Sequence, residues 1–286
     1  MHNKGKADIT IYATSNILKH LTKNADLDNP QTVETFIATK QTNAYKDHLC
    51  TAYARYCQYY KINWEMPTYN REEKMPKLPT EEQLNKLIAG AGKTLSLKLW
   101  ISKETGLRPI ELQNLKVKDV DTITNLVYPI TAKNGSPRVL KIPIALSQTI
   151  QKHAIKNNLE QNDKLFKGNS KKYGKCFREL RAKLARNLNE PSLTTIRLYD
   201  FRHYFATMTY YKLRDTGLTA QDMGHKDWNT TRKYIHLVRI MELNQNGEEY
   251  IVKTAHTKEE AIKLLELGFI YQNLEFDGDK VFKKRK

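Results

Sequence analysis

Apolar residues recur every three or four positions through most of this chain, the period of helices that bury one face. Over residues 8–60 the stretches "TVETFIATK" and "AYKDHLCTAYARYCQYYKI" carry it. Tyr45, Leu49, Ala52, Tyr56 and Tyr59 form one predicted stripe, and Cys50 and Cys57, seven apart, predict a shared buried face. Asn29-Pro30 reads as a helix start with Pro in the first turn. The period then stops. "NWEMPTYNREEKMPKLPT", residues 63–80, holds three prolines and a mixture of charges. It predicts a linker between domains. "TEEQ" at 80–83 opens the next helix as a capping box, with Thr80 as cap and Gln83 reaching back.

Beyond the linker the period changes along the chain. Residues 81–103 predict one helix with Leu84, Leu87 and Ile88 on a face. "TGLRPIELQNLKVKDVD" predicts a turn and a short helix from Pro109. "LVYPITAKNGSPRVLKIPI", residues 126–144, predicts a β-hairpin or small sheet turning at Asn134-Gly135. Helices follow at 146–158, 171–187, 198–213 and 218–237. The last stretch, 248–286, predicts a strand, a helix capped by "TKEE" at 257–260, and a hairpin turned at Asp277-Gly278. The fold class expected is mainly α with a small β-sheet (α+β). The expected division is a helical domain at 1–62, a linker at 63–79, a second domain at 80–240 and a strand–helix–hairpin extension at 241–286.

Charge narrows the choice of partner. The 286 residues include 48 Lys plus Arg against 31 Asp plus Glu, a net charge of +17. Such a surface attracts polyanions, nucleic acid first among them. A soluble protein from a Lys-rich proteome carries the same balance. The three cysteines, Cys50, Cys57 and Cys176, are odd in number and lack metal-ligand spacing. They point to neither a disulfide framework nor a zinc site, and to a reducing compartment. No apolar run approaches the roughly 18 residues of a membrane span. "MHNKGKADIT" has no apolar signal core. A soluble intracellular protein without a membrane partner is expected.

Several residues carry candidate chemistry. Arg108 stands just before a helix start, where backbone N–H groups face outward. Lys133 stands at the lip of the Asn-Gly turn. Arg202 lies in an otherwise apolar helix with Phe201, Tyr204, Phe205 and Met208, where an arginine needs a partner or a cleft. Gly224 ends a helix before His225, and Asn229 or Thr230 caps the next, with Tyr234 near its first turn. Taken singly, each has a plainer reading. Arg108 is then a surface arginine, Lys133 one lysine of many, and Arg202 a partner of Asp200 or Asp222. His225 is then a helix-end histidine and Tyr234 a core residue.

Taken together, "TGLRPIELQNLKVKDVD", "YDFRHYFATM" and "MGHKDWNTTRKYIHL" resemble the tyrosine recombinases: phage-type integrases, Xer resolvases and their archaeal relatives. The resemblance covers about 80–237. It implies a catalytic domain there and a DNA core-binding domain in the helical N-terminal part. It also implies catalytic roles for Arg108, Lys133, Tyr199, Arg202, His225 and the nucleophile Tyr234. The implied partners are double-stranded DNA with a specific recombination site and further copies of the chain. The implied assembly is a homo-tetramer on DNA from a monomer in solution, in the cytoplasm at the nucleoid. No cofactor is implied. The reaction implied is integration, excision or dimer resolution through a 3′-phosphotyrosine and a Holliday junction.

The residue types suit that chemistry. A phenolic oxygen can attack phosphorus, and planar guanidinium forks fit the non-bridging oxygens. A lysine can protonate the leaving 5′-oxygen. One position departs from the resemblance. Tyr199 stands three residues before Arg202, where most of the family has histidine. A phenol donates a hydrogen bond to phosphate but is a poor base near neutral pH. His203 is expected to point off another side of the helix. Tyr199 and the long tail lean the resemblance towards archaeal members. The tail, 248–286, is expected either to dock on a neighbouring copy or to touch the DNA backbone. An inactive DNA-binding relative and a type IB topoisomerase-like strand transferase remain as alternatives. A metal-dependent nuclease would need a carboxylate or histidine cluster, and the sequence spaces none.

Overall fold

The computed structural model describes residues 8–70, 77–132, 135–227, 229–244, 250–276 and 278–285. The chain divides into two compact units, 1–74 and 75–286.

The first unit contains α1 (Asp8–Leu21), α2 (Pro30–Ala38) and α3 (Asn43–Tyr60). Asn29 caps α2 by accepting from the Gln31 N–H, with Pro30 in the first turn. Leu21, Val33, Ile37, Leu49, Cys50, Tyr53 and Cys57 make its core. Both cysteines are buried and free. The buried stripe of α3 is Leu49, Cys50, Ala52, Tyr53 and Cys57, whereas Tyr45 and Tyr59 of the predicted stripe are exposed. Tyrosines occur all round this helix, and a phenol is stable with its ring half covered and its hydroxyl wet, so their spacing misleads. Arg55 donates to Thr14 Oγ1 of α1 at 2.5 Å. Residues 63–70 of the expected linker are docked on this unit. Trp64 packs edge-on against Tyr53 and donates to Glu34 Oε1 at 2.7 Å, and Tyr69 joins the same core.

In the second unit, α4 (Glu81–Ala89) and α5 (Lys93–Thr105) replace the single helix expected over 81–103. Gly90 ends α4 and Gly92 starts α5, since two glycines within three residues favour a break over a continuous helix. The Thr80–Gln83 capping box is formed. Next come α6 (Pro109–Asn114), β1 (Val120–Asp121), β2 (Leu126–Val127) and β3 (Leu140–Lys141). The three short strands form one antiparallel sheet in the order β1-β2-β3. The hairpin expected over 126–144 thus shrinks to two paired residues per strand, Leu126↔Lys141 and Val127↔Leu140. The described residues between them form a loop in which Ala132 N–H bonds Glu111, Ser136 N–H bonds Gly224 and Gly135 N–H bonds Ala132 within the loop.

Then follow α7 (Ile144–Lys156), α8 (Ser170–Asn187), α9 (Leu198–Leu213), α10 (Thr216–Met223) and α11 (Asn229–Asn244). α5 and α9 are central. On α9, Phe201, Arg202, His203, Tyr204, Ala206 and Thr207 are all buried, so nearly the whole circumference of the helix is covered. Asp227 accepts from the Asn229 N–H at 2.9 Å, so the side chain at the start of α11 lies two residues before the expected caps. The chain ends with β4 (Tyr250–Ala255), α12 (Lys258–Glu266), β5 (Ile270–Phe276) and β6 (Asp279–Arg285). They form an antiparallel sheet in the order β4-β6-β5. Phe282 and Ala255 pack on Leu264 of α12 and on Phe269. Thr257 caps α12 as its sequence implies. Asp277 of the expected hairpin turn lies outside the described residues.

Candidate active site

Arg108 is the N-cap of α6, and Pro109 follows in the first turn. Three residues on, Glu111 accepts from the Arg108 N–H at 2.9 Å and from Arg108 Nη1 at 2.7 Å. The same carboxylate accepts from Arg138 Nη2 at 2.8 Å and from the Ala132 N–H at 3.1 Å. The side chains of Glu111 and Arg138 are fully buried. Burial alone would raise the Glu111 carboxyl, but the hydrogen bond and charge of Arg138 and the two N–H donors hold it at about 2. Glu111 is therefore a permanent anion that fixes two guanidinium groups. Arg138 Nε and Nη1 have no partner among the described residues.

Arg202 is 1% exposed. Its Nη1 donates to the Gly106 carbonyl at 2.7 Å and its Nη2 to the Met223 carbonyl at 2.6 Å. Neither Asp200 nor Asp222 bonds it. Asp200 instead pairs with Arg197 at 3.1 Å. Burial, and then the neighbouring charge of Arg108, lower the Arg202 pKa, yet a guanidinium remains charged at neutral pH. Its Nε has no partner among the described residues. Two desolvated cations beside each other are costly unless an anion joins them.

His225 follows Gly224, whose φ of 61° ends α10 in a left-handed turn. A side chain on Gly224 would meet Arg138 Nη1 at 2.6 Å and the Ser136 carbonyl at 2.9 Å. The corner is therefore closed against the β2–β3 loop, and Ser136 N–H donates to the Gly224 carbonyl at 3.3 Å. His225 Nε2 lies 3.2 Å from Arg202 Nη2, and its Nδ1 lies 2.8 Å from Thr231 Oγ1. Arginine only donates, so Nε2 accepts and Nδ1 carries the proton. Burial, and then the charges of Arg202 and Arg108, lower the imidazole to about 4.

Tyr234 lies in the second turn of α11 and is 1% exposed. Its ring packs with Ala206, Met223 and Leu237. Burial raises its pKa, and the charges of Arg202 and Arg108 partly offset that. Its hydroxyl lies 3.2 Å from His203 Nδ1. His203 points off another side of α9 than Arg202, as expected, and that side reaches Tyr234. α9 packs against α11, so the side of α9 that leaves Arg202 behind is the side that meets Tyr234. His203 is itself buried, and burial and then the charge of Lys233 lower it to about 4. Tyr199 is 44% exposed and meets the His203 ring edge-on at 5.1 Å.

The structure brings Arg108, Arg202, His225 and Tyr234 into one region and leaves Tyr199 at its exposed edge. Lys133 lies outside the described residues. Its described neighbours are held in the same region: Ala132 bonds Glu111, and a Cβ on Gly135 would lie 3.6 Å from Arg108 Nη1. Sequence reasoning missed Glu111, Arg138, Thr231 and the role of His203. Only Glu111 left a signal, a carboxylate at the third helical position beside Arg108.

The sequence profile described as the phage integrase family matches residues 78–239. Tyrosine recombinase XerA of Saccharolobus solfataricus is 28% identical over 188 residues, covering 65% of this chain and 61% of the relative. Tyrosine recombinase XerH of Campylobacter jejuni is 28% identical over 191 residues, covering 61% and 52%. The chain thus spans between about half and three-fifths of the length of these relatives. A crystal structure of a XerA recombinase shares the fold with a TM-score of 0.51 at 20% identity, over 86% of this chain and 95% of that one. A lambda integrase dimer bound to a COC′ core site gives 0.62 at 12% identity, over 80% and 89%. The chain belongs to the phage integrase family.

Proposed function

We propose that this chain is a site-specific DNA recombinase that breaks and rejoins strands through a covalent 3′-phosphotyrosine, passing through a Holliday junction. The observation that carries this reading is the buried phenol of Tyr234 in the region where Arg108, Arg202 and His225 converge. Tyr234 Oη attacks phosphorus. Arg108 and Arg202 take the charge that develops on the non-bridging oxygens. His225, fixed between Arg202 and Thr231, holds the Arg202 guanidinium in place beside the phosphate. Lys133 protonates the departing 5′-oxygen. That 5′-hydroxyl, or one from a partner duplex, reverses the step. Phosphodiester energy is conserved in the phosphotyrosine, so the cycle uses no ATP.

The substrate is duplex DNA carrying a specific site, engaged by a tetramer assembled on it. The net charge of +17 supports a polyanionic substrate. So do the DNA complexes recorded for XerH with difH and for lambda integrase with its core site. The helical unit supplies the core-binding domain, and the protein works inside the cell at the nucleoid. The test is a nicked suicide duplex incubated with the protein in EDTA. A covalent protein–DNA adduct that Tyr234→Phe abolishes is expected. Cleavage that survives Tyr234→Phe, or that requires a divalent metal, would refute the mechanism.

A further inference from the structure

An activated phenol needs somewhere to send its proton, and the position that usually holds an imidazole in this resemblance holds Tyr199. Three imidazole or phenol groups near the nucleophile compete for the task. His225 has both ring nitrogens engaged, Nε2 by Arg202 at 3.2 Å and Nδ1 by Thr231 at 2.8 Å. Tyr199 is 44% exposed, and its contact is with the His203 ring. His203 presents Nδ1 to the Tyr234 hydroxyl at 3.2 Å, with both residues buried. Residues 199 and 203 are one turn apart on the same face of α9. An imidazole is therefore present beside the nucleophile, displaced by one helical turn.

We propose that His203 is the general base of this site: it takes the Tyr234 proton during cleavage and returns it during rejoining. The inference rests on the recombinase reading above. In cleavage, the proton passes from Oη to Nδ1 as the Oη–P bond forms. The P–O5′ bond breaks, and the 5′-oxygen takes a proton from the general acid, the role assigned to Lys133. In rejoining, the 5′-hydroxyl returns its proton to Lys133 as it attacks phosphorus, the P–Oη bond breaks, and Nδ1 hands its proton back to Oη. The step requires the tautomer with hydrogen on Nε2, so that Nδ1 can accept.

The surroundings keep that acceptor available. Burial and the charges of Lys233 on α11 and of Arg197 and Arg202 on α9 disfavour the imidazolium, with Asp200 opposing them. His203 is thus unprotonated near neutral pH. It is a weak base while the arginines stand alone. A scissile phosphate bound beside Arg108 and Arg202 adds negative charge and favours the protonated ring, so basicity rises when substrate is in place. Tyr199 covers the outer edge of the ring.

The test uses a nicked duplex recovered by covalent capture from a randomised pool, under single-turnover conditions. His203→Asn keeps an acceptor near the position of Nδ1 but cannot take a proton at these pH values. The expected result is a loss of ~10²-fold or more in adduct formation, with DNA binding unchanged. A second duplex carries a 5′-bridging sulfur, which leaves without protonation. A missing acid is compensated by that sulfur and a missing base is not, so His203→Asn stays slow on it. Cleavage by His203→Asn within about threefold of wild type, or its recovery on the sulfur duplex, overturns the proposal. Should the variant fail to fold, His203→Gln, which also offers an acceptor without a basic nitrogen, is read by the same two criteria. If wild type captures no DNA at all, the recombinase reading itself fails, which is a separate outcome.

Discussion

Arg108, Arg138 and Arg202 are cations held largely out of water, while Tyr234 and His203 are neutral groups buried in the same region. Burial acts on both sets in the same direction, against charge. The outcomes differ because the partners differ. Glu111 and two backbone carbonyls hold the guanidinium groups charged. Around Tyr234 pack Ala206, Met223 and Leu237, and among the described residues its hydroxyl is partnered by a neutral imidazole. The guanidinium charge is thus permanent, whereas the Tyr234 phenol and the His203 imidazole stay neutral. Preorganised charge of this kind spends no reorganisation during the reaction.

The sharpest way to break the contrast is to remove the anion beneath the arginines. Glu111→Gln leaves Arg138 buried without its counter-charge, and a loss of ~3–5 kcal/mol in urea unfolding is expected. An unchanged midpoint would mean the network does not carry stability. Acid attacks the buried imidazoles instead. His203 and His225 lie near 4 in the folded chain against 6.5 unfolded, so the unfolded state binds more protons between those values. Stability should be complete above about pH 6.5 and fall as the pH drops towards 4, by up to ~3 kcal/mol per histidine. Thermal melts from pH 7.5 to 4.5 measure this, and His203→Asn should flatten part of the slope.

Arg202→Lys keeps a charge but loses the fork that bonds two carbonyls and His225, and ~10²-fold slower adduct formation is expected. Equal rates would reduce Arg202 to a point charge. Gly224→Ala meets both a left-handed backbone and the Arg138 guanidinium. A loss of ~1–2 kcal/mol is expected, read as a lowered melting temperature. Tyr199→Phe should have the smallest effect, a change of less than about tenfold in cleavage, because its ring contact with His203 persists. A larger loss would give the Tyr199 hydroxyl a direct role.

What was legible beforehand follows from range. The caps at Thr80 and Thr257 and the starts at Pro30 and Pro109 involve residues within four positions of one another, and local rules reach that far. The apolar face of Leu84, Leu87 and Ile88 does not reveal the break after it, which Gly90 and Gly92 set by ending one helix and starting the next. The 126–144 hairpin was misjudged because β-branched residues there serve a loop that bonds to Glu111 and Gly224 rather than to a facing strand. The site residues were legible as an ordered set of motifs. Their bonding was not, since Glu111 meets Arg138 across 27 positions and His203 meets Tyr234 across 31.

The sequence by itself determined the helix boundaries set by caps and prolines, the mainly helical class, the basic character, and the resemblance that assigns Arg108, Arg202, His225 and Tyr234 to one site. These are properties of residue type and short spacing. Only the tertiary structure decided which imidazole reaches the Tyr234 hydroxyl. Helical spacing sets the direction of each side chain on α9, but the neighbour it meets depends on how α11 packs against α9. That packing turned His203, a residue set aside on spacing alone, into the partner of Tyr234.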